Sequence, residues 1–537
     1  MTIYVVGVLM MFVIYVIVGN YAGRRVKEVE DYYVAGRNGN TLLIVGSLIA
    51  SYLSTVAFMG EVGFSYDGYL LPFLFMYVTC STGYYLGARF FGRYIRRVKV
   101  LTIPQFFGDR FQSKRIQILA GIVTIVGISS YLVAVSQGTA LLLSEIMGTS
   151  YLVSLLITWA IYISVSLYAG SRGVLITETL MFGIFTVMAL ISVPYISQNV
   201  GGWKESIIQA VLIPEKPGLY DWHGVVEGDF AYMGTPFDVG MWIVALSIIW
   251  IIVISISPWQ ASRYLMARDE HVVMRSGIIA PVMAVLVVTL IHFSVTSINV
   301  LDFAITPSER VYISTAIEYF PVWLGIIVCG GILSAGLSSC ITFITLIGFS
   351  LSNDVYEKLS GKNNHGISLK GSRIAMAIVG FIVLVITYFQ PPAVMWISYF
   401  AATLFGVSWA VIGFMAVWSK KITEQGAFWS MVAGIASFVG FKLVATFGDV
   451  YFAIRPELLS LAISLIVVFI VNSFTKVTEA QIQYRNEMHI VPPELSNPAD
   501  IKTTMVYPKI AIGFGLALIV IMYFIYYVPY QEAISML

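Results

Sequence analysis

From Tyr4 almost to its end the chain repeats one feature, a run of about twenty apolar residues closed by a short polar break. That is the length a helix needs to cross the hydrocarbon layer of a membrane, where every backbone N–H and C=O has to be satisfied within the segment. A water-soluble core cannot absorb so many runs. Of the 537 residues 58% are hydrophobic and only 11% charged, whereas an ordinary soluble domain is roughly a quarter charged. The expected fold class is an all-α integral membrane protein.

Apolar runs and polar breaks predict helices near 3–22, 41–65, 69–92, 116–146, 150–168, 175–196, 239–258, 277–299, 321–350, 374–390, 395–418, 426–446, 458–474 and 508–529, which makes about fourteen crossings. Alternate breaks must then share one face of the membrane. Arg24, Arg25, Lys27 and Arg37 follow the first run, Arg93, Arg96, Arg97 and Lys99 the third, and Arg263, Arg268 and Arg275 the seventh. Lys358, Lys362, Lys370, Arg373, Lys420, Lys421, Lys476 and Arg485 fall on the same face. Basic residues accumulate on the cytoplasmic side, so both termini are expected outside a cell membrane crossed many times. The first run, Tyr4 to Tyr21, has no basic region before it and is long for a signal peptide, so it is expected to be retained.

Several function classes are disfavoured. Cys80, Cys329 and Cys340 each lie inside an apolar run, which leaves no disulfide framework or CxxC metal site. With a formal charge of +2 and no basic tract, nucleic acid is not an expected partner. No HExxH or GxSxG motif suggests an enzyme. Lipid, a cation and a small solute are the expected partners, with a monomer as the functional unit.

A helix facing lipid needs no polar side chains, so helices that keep them face protein, water or an ion. The second carries Gly46, Ser47, Ser51, Tyr52, Ser54, Thr55, Gly60 and Gly63, a mixture that permits an unwound stretch with free carbonyls but equally serves close helix packing. On the ninth, Ala335, Ser338, Ser339 and Thr342 are spaced by three and four and share one face. Such a face offers neutral oxygens to a hard cation, or a packing surface. Glu178 and Glu61 are carboxylates at or near membrane depth, either functional or water-accessible at an interface. His292 reads as a partner in an internal hydrogen bond. The segment 197–238 is acidic and rich in Gly, Pro and aromatics, including Trp203, Tyr220, Trp222 and Tyr232. It reads as an interfacial loop, with a folded lid as the alternative.

Four short stretches, Asp31 to Arg37, Pro258 to Arg263, Ala335 to Ser339 and Asn353 to Tyr356, occur in an order and spacing that resembles the sodium:solute symporters. The resemblance covers nearly the whole chain. It implies two inverted five-helix repeats with a site at the midplane between them. The chain would then divide into a first helix and cytoplasmic loop (1–40), helices two to six (41–196), an extracellular loop (197–238), helices seven to eleven (239–418), and peripheral helices twelve to fourteen with a cytoplasmic linker at 475–507 (419–537). By the same resemblance a sodium ion would take backbone carbonyls of Ala50, Leu53 and Ala335 and the hydroxyls of Ser338 and Ser339. A second cation would use Glu178, within Thr177-Glu178-Thr179, and Thr342, although Ile341 departs from the hydroxyl that members with two ions carry.

Solute contacts in such a fold would come from Ser51, Tyr52, Ser54, Gln137 and Trp250. Tyr52 stands where proline carriers have an acid, which favours a monocarboxylate or pantothenate-like solute over proline. Sugars, other amino acids and urea stay open. The expected activity is sodium-coupled symport by alternating access. The alternatives are a proton-coupled symporter of the same fold, with Glu178 carrying the proton, and a transporter-derived sensor or channel, for which neither a signalling domain nor a pore loop is found.

Overall fold

The computed structural model describes the chain apart from residues 1, 25, 27, 362–364, 392–393 and 449. Arg25, Lys27 and Lys362, counted above among the basic residues of one face, lie outside the described residues. In chain order the long helices are α1 Thr2–Gly23, α2 Thr41–Ala50, α3 Leu70–Gly87, α4 Lys114–Met147, α5 Tyr151–Tyr168, α6 Gly170–Asn199, α7 Pro236–Ile256 and α8 Glu270–Ser297. They continue with α9 Val322–Phe349, α10 His365–Tyr388, α11 Val394–Trp418, α12 Glu424–Phe447, α13 Pro456–Phe474 and α14 Val506–Met522. Among the described residues twelve helices, those at α1 and from α4 onward, are long and apolar enough to cross a membrane. The expected all-helical membrane architecture is therefore observed.

Burial separates core from periphery. Along its most apolar window α9 is 89% buried and α11 83%, whereas the α14 window is 0% buried. A helix polar and small on several faces belongs in the centre, and one apolar all round with no protein cover belongs against lipid. The core contacts run from α9 to α4 and α6, from α7 to α3 and α11, and from α8 to α2 and α3.

The helix expected at 41–65 is broken, with the unwound stretch that its glycines and hydroxyls permit. Asn40 caps α2 by accepting from Leu43 N at 3.0 Å, the helix ends at Ala50, and Ser51 to Ser54 leave the helical path. Ser54 Oγ then accepts from Val56 N at 3.1 Å, restarting the chain in wide π-helical turns at Val56–Glu61 and Ser65–Tyr69. The seventh helix is broken too. Pro258 has no N–H and pushes the residue before it out of the helical region, and Ser257 has ψ 151°. A second piece, Pro258–Met266, resumes beyond it. Between α5 and α6 the break is Gly170, at φ +52°, where an added Cβ would lie 2.4 Å from the Tyr32 ring.

The segment 197–238 folds against the bundle as a cover, with Trp222 and Tyr232 exposed on it. A short helix, Trp203–Val211, leads into irregular chain pinned at Lys216, whose buried Nζ donates to Tyr66 O at 3.0 Å and Asn299 Oδ1 at 2.7 Å. Tyr69 Oη donates to Val225 O at 2.6 Å. The approach is close enough that a Cβ on Gly68, at φ +126°, would stand 2.3 Å from Val225. Beyond α14, Tyr526 Oη donates to Tyr220 O at 2.9 Å and Lys204 pairs with Glu532, which holds the chain's C-terminal end on this cover.

Candidate cation and solute site

The break after α2 faces the middle of α9, and one hydroxyl joins them. Ser338 Oγ lies 2.8 Å from both Ala50 O and Ala335 O. Ala50 is the last residue of α2, so its carbonyl is one of those a helix end leaves without an intrahelical donor. Leu53, in the break, is buried. Ser339 Oγ is buried with no hydrogen-bond partner among the described residues, an arrangement native proteins rarely leave without a ligand, water or ion to explain it. Of the five residues implied for sodium, the structure thus links Ala50, Ala335 and Ser338 directly and places Ser339 beside Ser338 on the same helix. Among the described residues no group of three or more His, Cys, Asp or Glu side chains is placed to hold a metal, so this centre presents neutral oxygens.

Glu178 and Thr342 come together as expected, but around a different cation. Arg263 Nη2 lies 2.7 Å from Glu178 Oε1, 2.8 Å from Glu178 Oε2 and 2.6 Å from Thr342 Oγ1. Ser47 and Thr342 also donate to the carboxylate, and Arg263 Nε reaches Ser47 Oγ at 2.9 Å. All four side chains are buried. The expected second cation would have to share Glu178 and Thr342 with this guanidinium. Sequence reasoning counted Arg263 as a cytoplasmic marker. The signal that could have placed it inside was Pro258, which breaks the helix and turns the piece carrying Arg263 back into the bundle.

The residues expected at the solute divide into two groups. Tyr52 lies in an aromatic cluster, its ring 5.6 Å from Trp250 and 5.9 Å from Tyr77, with its hydroxyl 3.1 Å from Cys80 Sγ. Trp250 Nε1 is buried and has no partner among the described residues. Gln137, with Oε1 likewise unpartnered, instead lines a cavity of about 560 Å³ with Thr55, Gly60, Glu145 and Arg310. That cavity reaches from the end of the break toward the covered end of the bundle. Ser51 and Ser54 are engaged locally: Ser51 Oγ donates to Leu48 O at 3.1 Å, and Ser54 caps the resumed helix. His292 Nδ1 is 2.7 Å from Ser65 Oγ, the internal hydrogen bond expected for it.

Glu61 is the acid whose surroundings the sequence did not disclose. Tyr399 Oη donates to its Oε1 at 2.9 Å and Tyr77 to its Oε2, and neither partner is near it in sequence.

Comparison with known proteins identifies the family and the fold. The high-affinity proline transporter PutP of Bacillus subtilis (strain 168) is 22% identical over 480 residues, covering 86% of this chain and 96% of that protein. The sodium/pantothenate symporter of Haemophilus influenzae is 23% identical over 430 residues, covering 76% and 83%. A substrate-bound, outward-open Na+-coupled sialic acid symporter superposes with a TM-score of 0.75 at 16% identity, over 88% of this chain and 98% of that one, which shows a shared fold. The profile of the sodium:solute symporter family matches residues 32–434. The chain belongs to the sodium:solute symporter family, whose members are sodium-coupled transporters and not enzymes.

Proposed function

We propose that the protein carries a small organic solute inward with sodium, and that its sodium site lies between the break after α2 and the middle of α9. The observation that carries this reading is Ser338 Oγ, 2.8 Å from Ala50 O and from Ala335 O. In this reading sodium displaces the hydroxyl proton from that contact and gathers the carbonyls of Ala50, Leu53 and Ala335 with the hydroxyls of Ser338 and Ser339. Binding there ties α9 to the broken helix and favours one member of a pair of alternating states. One ion moving down about 100 mV supplies about 2.3 kcal/mol, and a tenfold gradient adds about 1.4 kcal/mol.

The architecture in this reading has fourteen crossings, with the broken helix and α3 added to the twelve. Helices α2 to α6 and α7 to α11 form two inverted repeats, α12 to α14 are peripheral, and the functional unit is a monomer. The paired breaks, after Ala50 and at Ser257, fall in the first helix of each repeat, where discontinuous helices expose backbone groups to ions and substrate. The covered end, with both termini, faces outward from a cell membrane.

The solute is a monocarboxylate or a pantothenate-like acid held near Tyr52, Trp250 and Gln137. The free indole N–H of Trp250 and the backbone N–H groups at the break are donors for a carboxylate, and no basic side chain is required. Thermal stability of the purified protein in sodium, against potassium and choline, tests this with carboxylates, amino acids, sugars and urea added in turn. A sodium-specific rise enlarged by a carboxylate is expected, since a ligand of the native state raises its apparent stability. Equal stability in all three cations would overturn the sodium site.

A further inference from the structure

Glu61 and Glu178, both buried within the bundle, differ in one respect. Glu178 has its counter-cation in Arg263 at 2.7 Å. Glu61 has none: among the described residues no Lys, Arg or His forms an ion pair or hydrogen bond with it, and its recorded partners are the hydroxyls of Tyr77 and Tyr399. The titratable groups around it are also neutral ones. Tyr77 and Cys80 face it from α3, Tyr399 from α11 and Tyr131 from α4. Tyr52 packs against Tyr77 from the break, and His292 on α8 lies 5.3 Å from the Tyr77 ring while bonded to Ser65. Burial disfavours the charged form of a carboxylate with no counter-cation, and only the two tyrosine hydroxyls are recorded as donors that work against that penalty.

A cavity lies next to one of the partners of Glu61. Tyr399, which donates to Glu61, also lines a cavity of about 200 Å³ between α7, α11, α12 and α13. Trp242 and Trp396 form its walls, and Lys442, Arg455 and Glu457 stand at its margin, with Lys442 Nζ 3.0 Å from Glu457 Oε1. Tyr399 therefore stands between the buried acid and a cavity with a polar rim.

We propose that Glu61 is a proton-binding site of the transport cycle, loaded through Tyr399 from this cavity, so that a proton moves with the solute in addition to sodium. A hydronium ion in the cavity gives a proton to the Tyr399 oxygen as that hydroxyl passes its own proton to Glu61 Oε1, leaving water behind, and release goes to the interior after the alternating-access step has changed the side that Glu61 faces. The proton therefore belongs to Glu61 and not to Glu178, whose carboxylate is already bonded to the Arg263 guanidinium.

Infrared titration of the purified full-length protein tests this without any solute. The wild type is expected to show a protonated carboxylic C=O band that disappears as pH rises between about 5 and about 9, the range open to a buried glutamate. Glu61→Gln is expected to lose the band and Glu178→Gln to keep it. A titrating band of full size in Glu61→Gln, or no titrating band in the wild type, would overturn the proposal. Tyr399→Phe keeps the acid and removes a donor to its ionised form, so its midpoint is expected to move to higher pH; an unmoved midpoint would count against loading through Tyr399. In proteoliposomes, internal acidification should accompany solute entry in the wild type and vanish in Glu61→Gln while sodium dependence persists. The transport consequence alone rests on the symport reading: absence of sodium-driven uptake would end that reading and leave the infrared result intact.

Discussion

Arg263 and Glu178 form an ion pair at the heart of the bundle, with Arg263 Nη2 2.7 Å from the carboxylate and Thr342 closing the triangle at 2.6 Å. Removing one partner of a buried pair strands the other charge and costs about 3–5 kcal/mol, whereas replacing both is much milder. Glu178→Gln and Arg263→Gln are each expected to lower the melting temperature sharply, and the double replacement to recover most of the loss. Thermal melts of the four proteins give the coupling, and strictly additive losses would contradict the pair. Because the guanidinium stands where a second ion would be held, sodium activation is also expected to be hyperbolic and not sigmoidal.

At the proposed sodium site, Ser338→Ala and Ser339→Ala each remove one oxygen. Each is expected to weaken sodium affinity by about tenfold, or about 1.4 kcal/mol, with expression near normal. Sodium titrations of thermal stability measure it. Unchanged affinity in both variants would remove the site.

Lys216, in the cover, has its ammonium pushed down to about 8 by burial, against the pull of Asp67 and Asp302. Between that value and its ordinary one near 10.4 the unfolded chain holds the proton more tightly than the folded one. Stability then rises with pH across this window, by linkage. Lys216→Met should remove the rise. Melts of both proteins between about pH 7 and about pH 10.5 compare the slopes, and parallel curves would show that Lys216 does not titrate there.

Gly170 divides α5 from α6 at φ +52°, and an added Cβ would meet Tyr32 at 2.4 Å. Gly170→Ala combines backbone strain with overpacking, each worth about 1–3 kcal/mol. A loss of that order in the melt is expected. A neutral substitution would mean that the break is not required.

Much of this was legible in the chain because each crossing is specified locally. A run such as Leu458 to Phe474 is a membrane helix whatever surrounds it, since no other structure satisfies its backbone in lipid. The small and hydroxylated residues of α9 also announced themselves, since Ser338 and Ser339 fall on one helical face. What stayed hidden depends on partners far apart in sequence. Glu61 meets Tyr399 across 338 positions, and no local pattern announces that contact. Arg263 looked like a topology marker because arginines after a helix usually are, and only the turn at Ser257 brings it to Glu178. Lys216 gave no sign of burial, since its hydrogen-bond partners Tyr66 and Asn299 stand 150 and 83 positions away.

Solute accumulation by proteoliposomes, driven by an inward sodium gradient and a negative interior, tests the central claim most directly. With a labelled carboxylate identified by the stability screen, the wild type should accumulate it when sodium is outside, fail to do so with potassium in its place, and lose that drive in the Ser338→Ala/Ser339→Ala double variant. Accumulation that is equal with and without a sodium gradient would contradict the account.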